Sequence, residues 1–245
     1  MILKVKWCGF DYGECIMNAE EVRNAILYGD IYKTMGKPEL ISEKVTKHRV
    51  LKEKHGRYPV LQEGHRDDIY GFVLEKDKAA IELLEIQEQE LLDTGDDLEE
   101  ALVHLKREGI ETAVVTEMKI SRKPLGSDRV SRFLRKRNLD TYFKDLITPL
   151  GKVNIETNAV DWRYKGATKA HGTLYDVLAK DLGERGIGVH EAVMVGDRPS
   201  TDINPAHKRG FKTIQYTGFS DQGPSEADIV INSFGELKTV LQKKN

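Results

Sequence analysis

Strand-like apolar runs that alternate with amphipathic helical segments predict an α/β fold, a doubly wound parallel sheet with helices on both faces. Three observations carry this. Strand and helix patterns alternate from about residue 93 onward. Two strand-like runs from opposite ends of the chain, Val5 to Phe10 and Val193 to Gly196, each lead into an aspartate, Asp11 and Asp197. The block between the first strand and the alternating part is instead helix-rich and charged, and reads as a second, smaller domain.

The first strand, Val5 to Phe10, opens a core formed by residues 1–18 and 93–245. Residues 19–92 form the inserted helical domain, with candidate helices near Glu20 to Tyr28, Pro38 to Lys54 and Asp77 to Leu92. Inserted there, it would serve as a cap over the sheet edge that excludes water and selects substrate. Back in the core, Asp96 and Glu99 resemble a capping box, followed by Leu98, Ala101, Leu102 and Leu105 at helical spacing up to Gly109. A strand at Thr112 to Thr116 follows, then a helix opened by Ser127 with Val130, Phe133 and Leu134 on one face, then a strand at Asp145 to Thr148. Residues Gly151 to Gly166 look irregular. A helix with Leu174, Val177, Leu178 and Leu182 then leads through Gly183 to the strand that ends at Asp197. Segments Ile203 to Gly210, Lys212 to Tyr216 and Asp228 to Ile231, with a last helix capped by Ser233 and Glu236, complete the alternation.

The 245 residues are enough to bury a sizeable core, and 38 basic against 40 acidic residues give no global field for nucleic acid. No apolar stretch reaches membrane-spanning length, and lysines interrupt the start, Met1-Ile2-Leu3-Lys4-Val5-Lys6. The expectation is a cytoplasmic protein with no nucleic-acid or membrane partner. Cys8 and Cys15 flank the Asp11 turn rather than spacing out a scaffold, which suits a reducing compartment, and Cys8 reads as a small core residue. The cap helices are a candidate surface for a homodimer.

In an open parallel sheet, ligands bind at the carboxyl ends of strands, so Asp11 and Asp197 would meet where chemistry is expected, and Asp202 follows five residues after Asp197. Grouped carboxylates suit a hard divalent cation, which takes oxygen ligands. Each residue alone has a plainer reading. Asp197 and Asp202 could be a helix N-cap and its neighbour, Thr116 a strand-end residue, and Lys169 a solvated lysine with Lys165 competing for its role.

Taken in order, Phe10-Asp11-Tyr12-Gly13-Glu14-Cys15-Ile16, Val114-Val115-Thr116, Lys169, and Val195-Gly196-Asp197 through Asp202 resemble the four motifs of the haloacid dehalogenase-like hydrolase superfamily. The resemblance covers the core from Val5 to Leu241; the cap matches only in position and helical character. It implies a Rossmann-like core and an aspartyl-phosphate route. Asp11 would be the nucleophile, Thr116 the hydroxyl that binds phosphoryl oxygens, and Lys169 the ammonium that neutralises both. Mg²⁺ would be held by Asp11, the Gly13 carbonyl and Asp197, with Asp202 contacting the metal through water or orienting the lysine. The substrate would be a small, anionic phosphorylated metabolite.

One departure weakens the pattern. The family's phosphatases carry a second aspartate two residues after the nucleophile as general acid and base, and here that position is Gly13. Four repairs are open: Glu14 as a surrogate, a cap residue such as His65 or Asp67, a substrate with a good leaving group, or a retained metal pocket without turnover. A register with Gly9 at the nucleophile position would remove the nucleophile; the Phe10-Asp11 junction and Ile16 favour Asp11. The family's C–halogen hydrolases lack the Gly-Asp kept here as Gly196-Asp197, and its C–P hydrolases need a Schiff-base lysine, for which Lys33, Lys44, Lys47 and Lys54 are undistinguished candidates. In the cap, Gly64 to Phe72 reads as a solvated turn whose Arg66 could reach an anion, and His48, Arg49, His55 and Arg57 as a charged helix face and its end. His171 is a substrate contact or a helix N-terminal residue, and Trp162-Arg163-Tyr164 a pocket entrance or surface packing.

Overall fold

The computed structural model describes residues 1–19 and 22–244, without the side chains of residues 59 and 63. The chain divides into two compact units, Met1–Met17 with Thr94–Asn245, and Asn18–Asp93. The strands in chain order are β1 (Leu3–Val5), β2 (Trp7–Phe10), β3 (Met17–Asn18), β4 (Asp93–Thr94), β5 (Glu111–Val115), β6 (Asp145–Thr148), β7 (Gly151–Asn154), β8 (Val160–Asp161), β9 (Ala192–Gly196), β10 (Lys212–Tyr216), β11 (Ile229–Ile231) and β12 (Leu241–Lys243). Eight of them form one sheet in the order β11-β10-β9-β2-β5-β6-β7-β8. From β11 to β6 every neighbour is parallel. The α/β class and the parallel core therefore hold.

β2 lies in the middle of this sheet, and all four of its residues are buried, as a strand covered on both faces requires. On one face Trp7, Ala113, Val115 and Met194 pack with Leu174, Tyr175, Leu178 and Leu182 of the helix Thr173–Glu184. Phe10 meets Phe143 and Phe234. Gly9 has no room for a side chain, because a Cβ there would collide with the Trp7 ring and come within 3.0 Å of Val115 Cγ2. Position 9 therefore tolerates no side chain.

Several expectations need correction. The stretch Gly151 to Gly166 is ordered: β6, β7 and β8 run antiparallel and close the sheet edge, followed by a 3₁₀ turn at Trp162–Tyr164. There Tyr164 is buried and donates to Asp181 at 3.0 Å, Arg163 pairs with Asp161, Asp181 and Glu184, and Trp162 is exposed, so this segment is an ion-paired sheet edge. The helix after β4 is Leu98–Arg107 and its N-cap is Asp97 in a left-handed conformation, whose carboxylate accepts from Ser233 rather than from the helix. Asp128, not Ser127, caps Arg129–Lys136 by accepting from the Ser131 amide. The Ser233/Glu236 capping box forms as expected.

In the second unit the expected helix start at Glu20 lies outside the described residues, and the described helix is Asn24–Thr34. Helices Ile41–His55 and Lys78–Leu91 follow, the latter capped by Asp77, which accepts from the Ala79 and Ala80 amides. Gly64 to Phe72 is not a solvated turn. Arg66 is buried and paired with Glu88, and its Nε donates to the Tyr70 hydroxyl at 2.9 Å. Nor is His48 on a charged face: it is buried, bonded to the Tyr28 hydroxyl and stacked on Tyr58. Burial, then Lys52 and Arg66, push its imidazole down to about 4, so it is neutral. Lys44 and Lys47 each pair with Glu43 and Glu75, which holds the Lys47 ammonium protonated and unsuited to a Schiff base. No described helix is long and apolar enough to cross a membrane.

Candidate active site

Three adjacent parallel strands end in polar residues. β5, β2 and β9 stand side by side, with Phe10 level with both Val114 and Val195. Their carboxyl ends therefore deliver Thr116, Asp11 and Asp197 to one edge. The Asp11 amide donates to the Val195 carbonyl at 2.8 Å, and the Thr116 amide to the Ile147 carbonyl at 3.0 Å, which fixes both backbones to the sheet.

Asp202 arrives through the short helical turn Pro199–Ile203 after β9. The Arg198 amide donates to its Oδ2 at 3.0 Å, whereas Asp197 accepts no hydrogen bond and does not cap the turn. Gly196 makes room for it, since a Cβ at that position would collide with the Asp202 side chain. The Tyr175 hydroxyl closes the far side by donating to the Thr201 carbonyl at 2.9 Å.

Lys169 lies just before the helix Thr173–Glu184 and is 1% exposed. Its ammonium pairs with both Asp11 and Asp202 and donates to the Val115 carbonyl at 3.1 Å. Burial pulls this ammonium down, but Asp11 and Asp202 more than offset it and it stays charged. Lys165 is exposed, so the competition between the two lysines ends with Lys169 inside the cluster. His171 bonds the Thr168 hydroxyl and is exposed.

One residue of the site escaped the sequence reading. Glu117 accepts the Lys169 backbone amide at 2.7 Å and so ties the lysine to the end of β5. An acidic residue immediately after Thr116, at a strand terminus, was the available signal. Gly13 and Glu14 lie in the tight turn after β2, where the Glu14 amide donates to the Met17 carbonyl at 3.0 Å. Glu14 is buried at a left-handed φ of 56°. Cys15 is an inert thiol, pushed up by burial and by the three aspartates.

Asp11 and Asp202 thus pair with one ammonium, and Asp197 lies beside them. The ligand oxygens of Asp11, Asp197 and Asp202 lie within 4.8 Å of one another. Asp197 is 1% exposed, and neither of its oxygens accepts a hydrogen bond; the nearest cation is Arg198 Nε at 3.8 Å. Burial, then Asp202 and Asp11, raise its carboxyl to about 9. A buried carboxyl without a hydrogen-bond donor, in an all-oxygen donor set, fits a hard divalent cation. The Thr116 hydroxyl is likewise buried without a hydrogen-bond partner. His65, Arg66 and Asp67 belong to the second unit.

A pH dependence follows. Between the ordinary carboxylate value and about 9, the folded metal-free chain keeps a proton on Asp197 that the unfolded chain has lost. Stability of the metal-free protein should then fall as pH rises through this window, by at most about 1.4 kcal/mol per pH unit for one proton. Asp197→Asn should flatten that slope and raise the metal-free melting temperature at pH 8. Thermal unfolding of both proteins from pH 5 to 9 in chelator checks it.

Residues 166–237 match the HAD-hydrolase-like family model. No curated protein matches the chain. Among solved structures, it is similar to the HAD phosphatase of Thermococcus onnurineus, at 21% identity over 96% of this chain and 97% of that one, TM-score 0.58. It is also similar to the magnesium-bound HAD-hydrolase YfnB of Bacillus subtilis, at 13% identity over 96% and 98%, TM-score 0.62. The 2-haloacid dehalogenase of Pseudomonas syringae is a third, at 16% identity over 96% and 97%, TM-score 0.56. At such identities these likenesses bear on the fold, and they include both phosphatase and dehalogenase. The segment that matches the family model is the one carrying Lys169, Asp197 and Asp202, so in that segment and in its fold the chain is similar to the haloacid dehalogenase-like hydrolases.

Proposed function

We propose that the chain is a Mg²⁺-dependent phosphohydrolase of a small anionic phosphate ester, acting through an aspartyl-phosphate on Asp11. The observation that carries this is the buried Asp197: its two oxygens have no hydrogen-bond donor, and its ligand oxygen lies within 4.8 Å of those of Asp11 and Asp202. An anionic phosphate ester would be repelled from such a cluster unless a divalent cation balanced it. The carbon attacked in a haloacid bears no anionic oxygens, whereas the phosphorus of a phosphate ester does, so a cation beside Asp11 serves phosphoryl chemistry more than dehalogenation.

In this reading Asp11, the Gly13 carbonyl and Asp197 would hold the cation, with Asp202 contacting it through water or orienting Lys169. When bound, Mg²⁺ supplies charge neutralisation between nucleophile and phosphate. The Asp11 carboxylate attacks phosphorus in line and displaces the alcohol. Lys169, held charged between Asp11 and Asp202, neutralises the phosphoryl oxygens as Asp11 bonds to phosphorus. The Thr116 hydroxyl donates to one of those oxygens. Glu117 fixes the height of Lys169 along the sheet edge. No carboxyl stands at position 13 to protonate the leaving alcohol or to activate water, so good leaving groups are favoured, and the aspartyl-phosphate is long-lived.

Gly13 also favours a second reading, an accessory protein that keeps the metal pocket without turnover. A metal titration with an aryl phosphate separates the two. Hydrolysis that requires Mg²⁺ and drops about 10³-fold in chelator or in Asp197→Asn supports the enzyme. Mg²⁺ binding with no hydrolysis above buffer supports the accessory role.

A further inference from the structure

The second unit holds another cluster of ligating side chains, away from every residue of the phosphoryl site in sequence and in compact unit. His55, the last residue of the helix Ile41–His55, and His65 stack with ring centroids 3.8 Å apart and planes 19° from parallel. Asp68, one helical turn after His65, places Oδ2 3.4 Å from His55 Nε2 and 3.4 Å from His65 Nδ1. All three ligand atoms lie within 4.8 Å of one another. Gly56, at a φ of 106°, turns the chain directly after His55 and lets the next segment come back beside it. His55 Nε2 is buried and makes no hydrogen bond.

We propose that His55, His65 and Asp68 form a binding site for a divalent transition metal of the Zn²⁺ class, which clips the end of one helix to the turn that follows it. The chemistry differs from that of the aspartate cluster. Two imidazoles and one carboxylate prefer Zn²⁺ or Co²⁺, whereas an all-carboxylate set prefers Mg²⁺. The spacing agrees as well, because ligands at about 2.0–2.2 Å from a tetrahedral Zn²⁺ lie roughly 3.4 Å apart. An imidazole lone pair lies in its ring plane, so the stacked rings must fan open for both nitrogens to converge on one ion. That motion is a rotation about the broad χ2 torsion of partly exposed side chains and costs little. Three protein ligands leave a fourth position for water, on the side where His65 and Asp68 are 37% and 50% exposed.

The test uses the full chain carrying Asp197→Asn, which blunts the aspartate site, and titrates it with Zn²⁺ and Co²⁺ in excess Mg²⁺. The site predicts one tight Zn²⁺ per chain that Mg²⁺ does not displace, a tetrahedral Co²⁺ absorption spectrum, and a rise in melting temperature. His55→Ala and Asp68→Ala should each weaken binding by more than the roughly 10–100-fold that even outer-shell partners contribute, and should abolish the rise. Both residues are partly exposed, so circular dichroism should stay native. Zn²⁺ binding that survives both substitutions, an octahedral Co²⁺ spectrum, displacement by Mg²⁺, or no binding in excess of Mg²⁺ would each overturn the assignment.

Discussion

Asp11→Asn is expected to abolish aryl-phosphate turnover, by about 10⁴-fold or more, with the fold intact. Asparagine is nearly isosteric with aspartate, and Lys169 keeps Asp202 as its ionic partner. The substituted amide cannot attack phosphorus, so the loss should appear in kcat rather than in KM. Folding is checked by circular dichroism and melting temperature, and turnover by release of the aryl alcohol under saturating Mg²⁺. Equal hydrolysis by wild type and variant would mean that Asp11 is not the nucleophile.

Gly13→Asp is the complementary gain. A positioned general acid and base is worth about 10² to 10⁴ in rate, so restoring a carboxyl two residues after Asp11 should raise turnover toward that range. The pattern across substrates is more diagnostic than the size. Alkyl phosphates, whose alcohols leave poorly, should gain more than aryl phosphates, because protonation of the leaving oxygen matters most there. The new carboxyl should also speed breakdown of the aspartyl-phosphate by activating water. Gains that are equal for both substrate classes, or absent, would show that position 13 does not face the reacting bond.

Much of the site was legible because it sits where strands end. An apolar run that stops at a polar residue marks a strand terminus without any knowledge of tertiary contacts, and β2, β5 and β9 each announce Asp11, Thr116 and Asp197 in that way. What was missed depends on partners distant in sequence. The hairpin β7–β8 has short strands with half-buried alternation, and only pairing with β6 makes it ordered. Arg66 reads as solvated until Glu88, 22 residues away, is brought beside it. His48 is buried by its contacts to Tyr28 and Tyr58, not by any local pattern. Helix caps slipped by one residue because Asp96 and Asp97, or Ser127 and Asp128, are equally good candidates until the backbone angles choose.

The most direct test of a phosphoryl-transfer site is acid quenching of the protein with Mg²⁺ and an aryl phosphate, followed by mass mapping of the adduct. The missing carboxyl at position 13 should let the intermediate accumulate, as a phosphoryl group on the peptide that contains Asp11, present with Mg²⁺ and absent in Asp197→Asn. No adduct under conditions where the aryl phosphate is consumed, or an adduct on any other peptide, would contradict it.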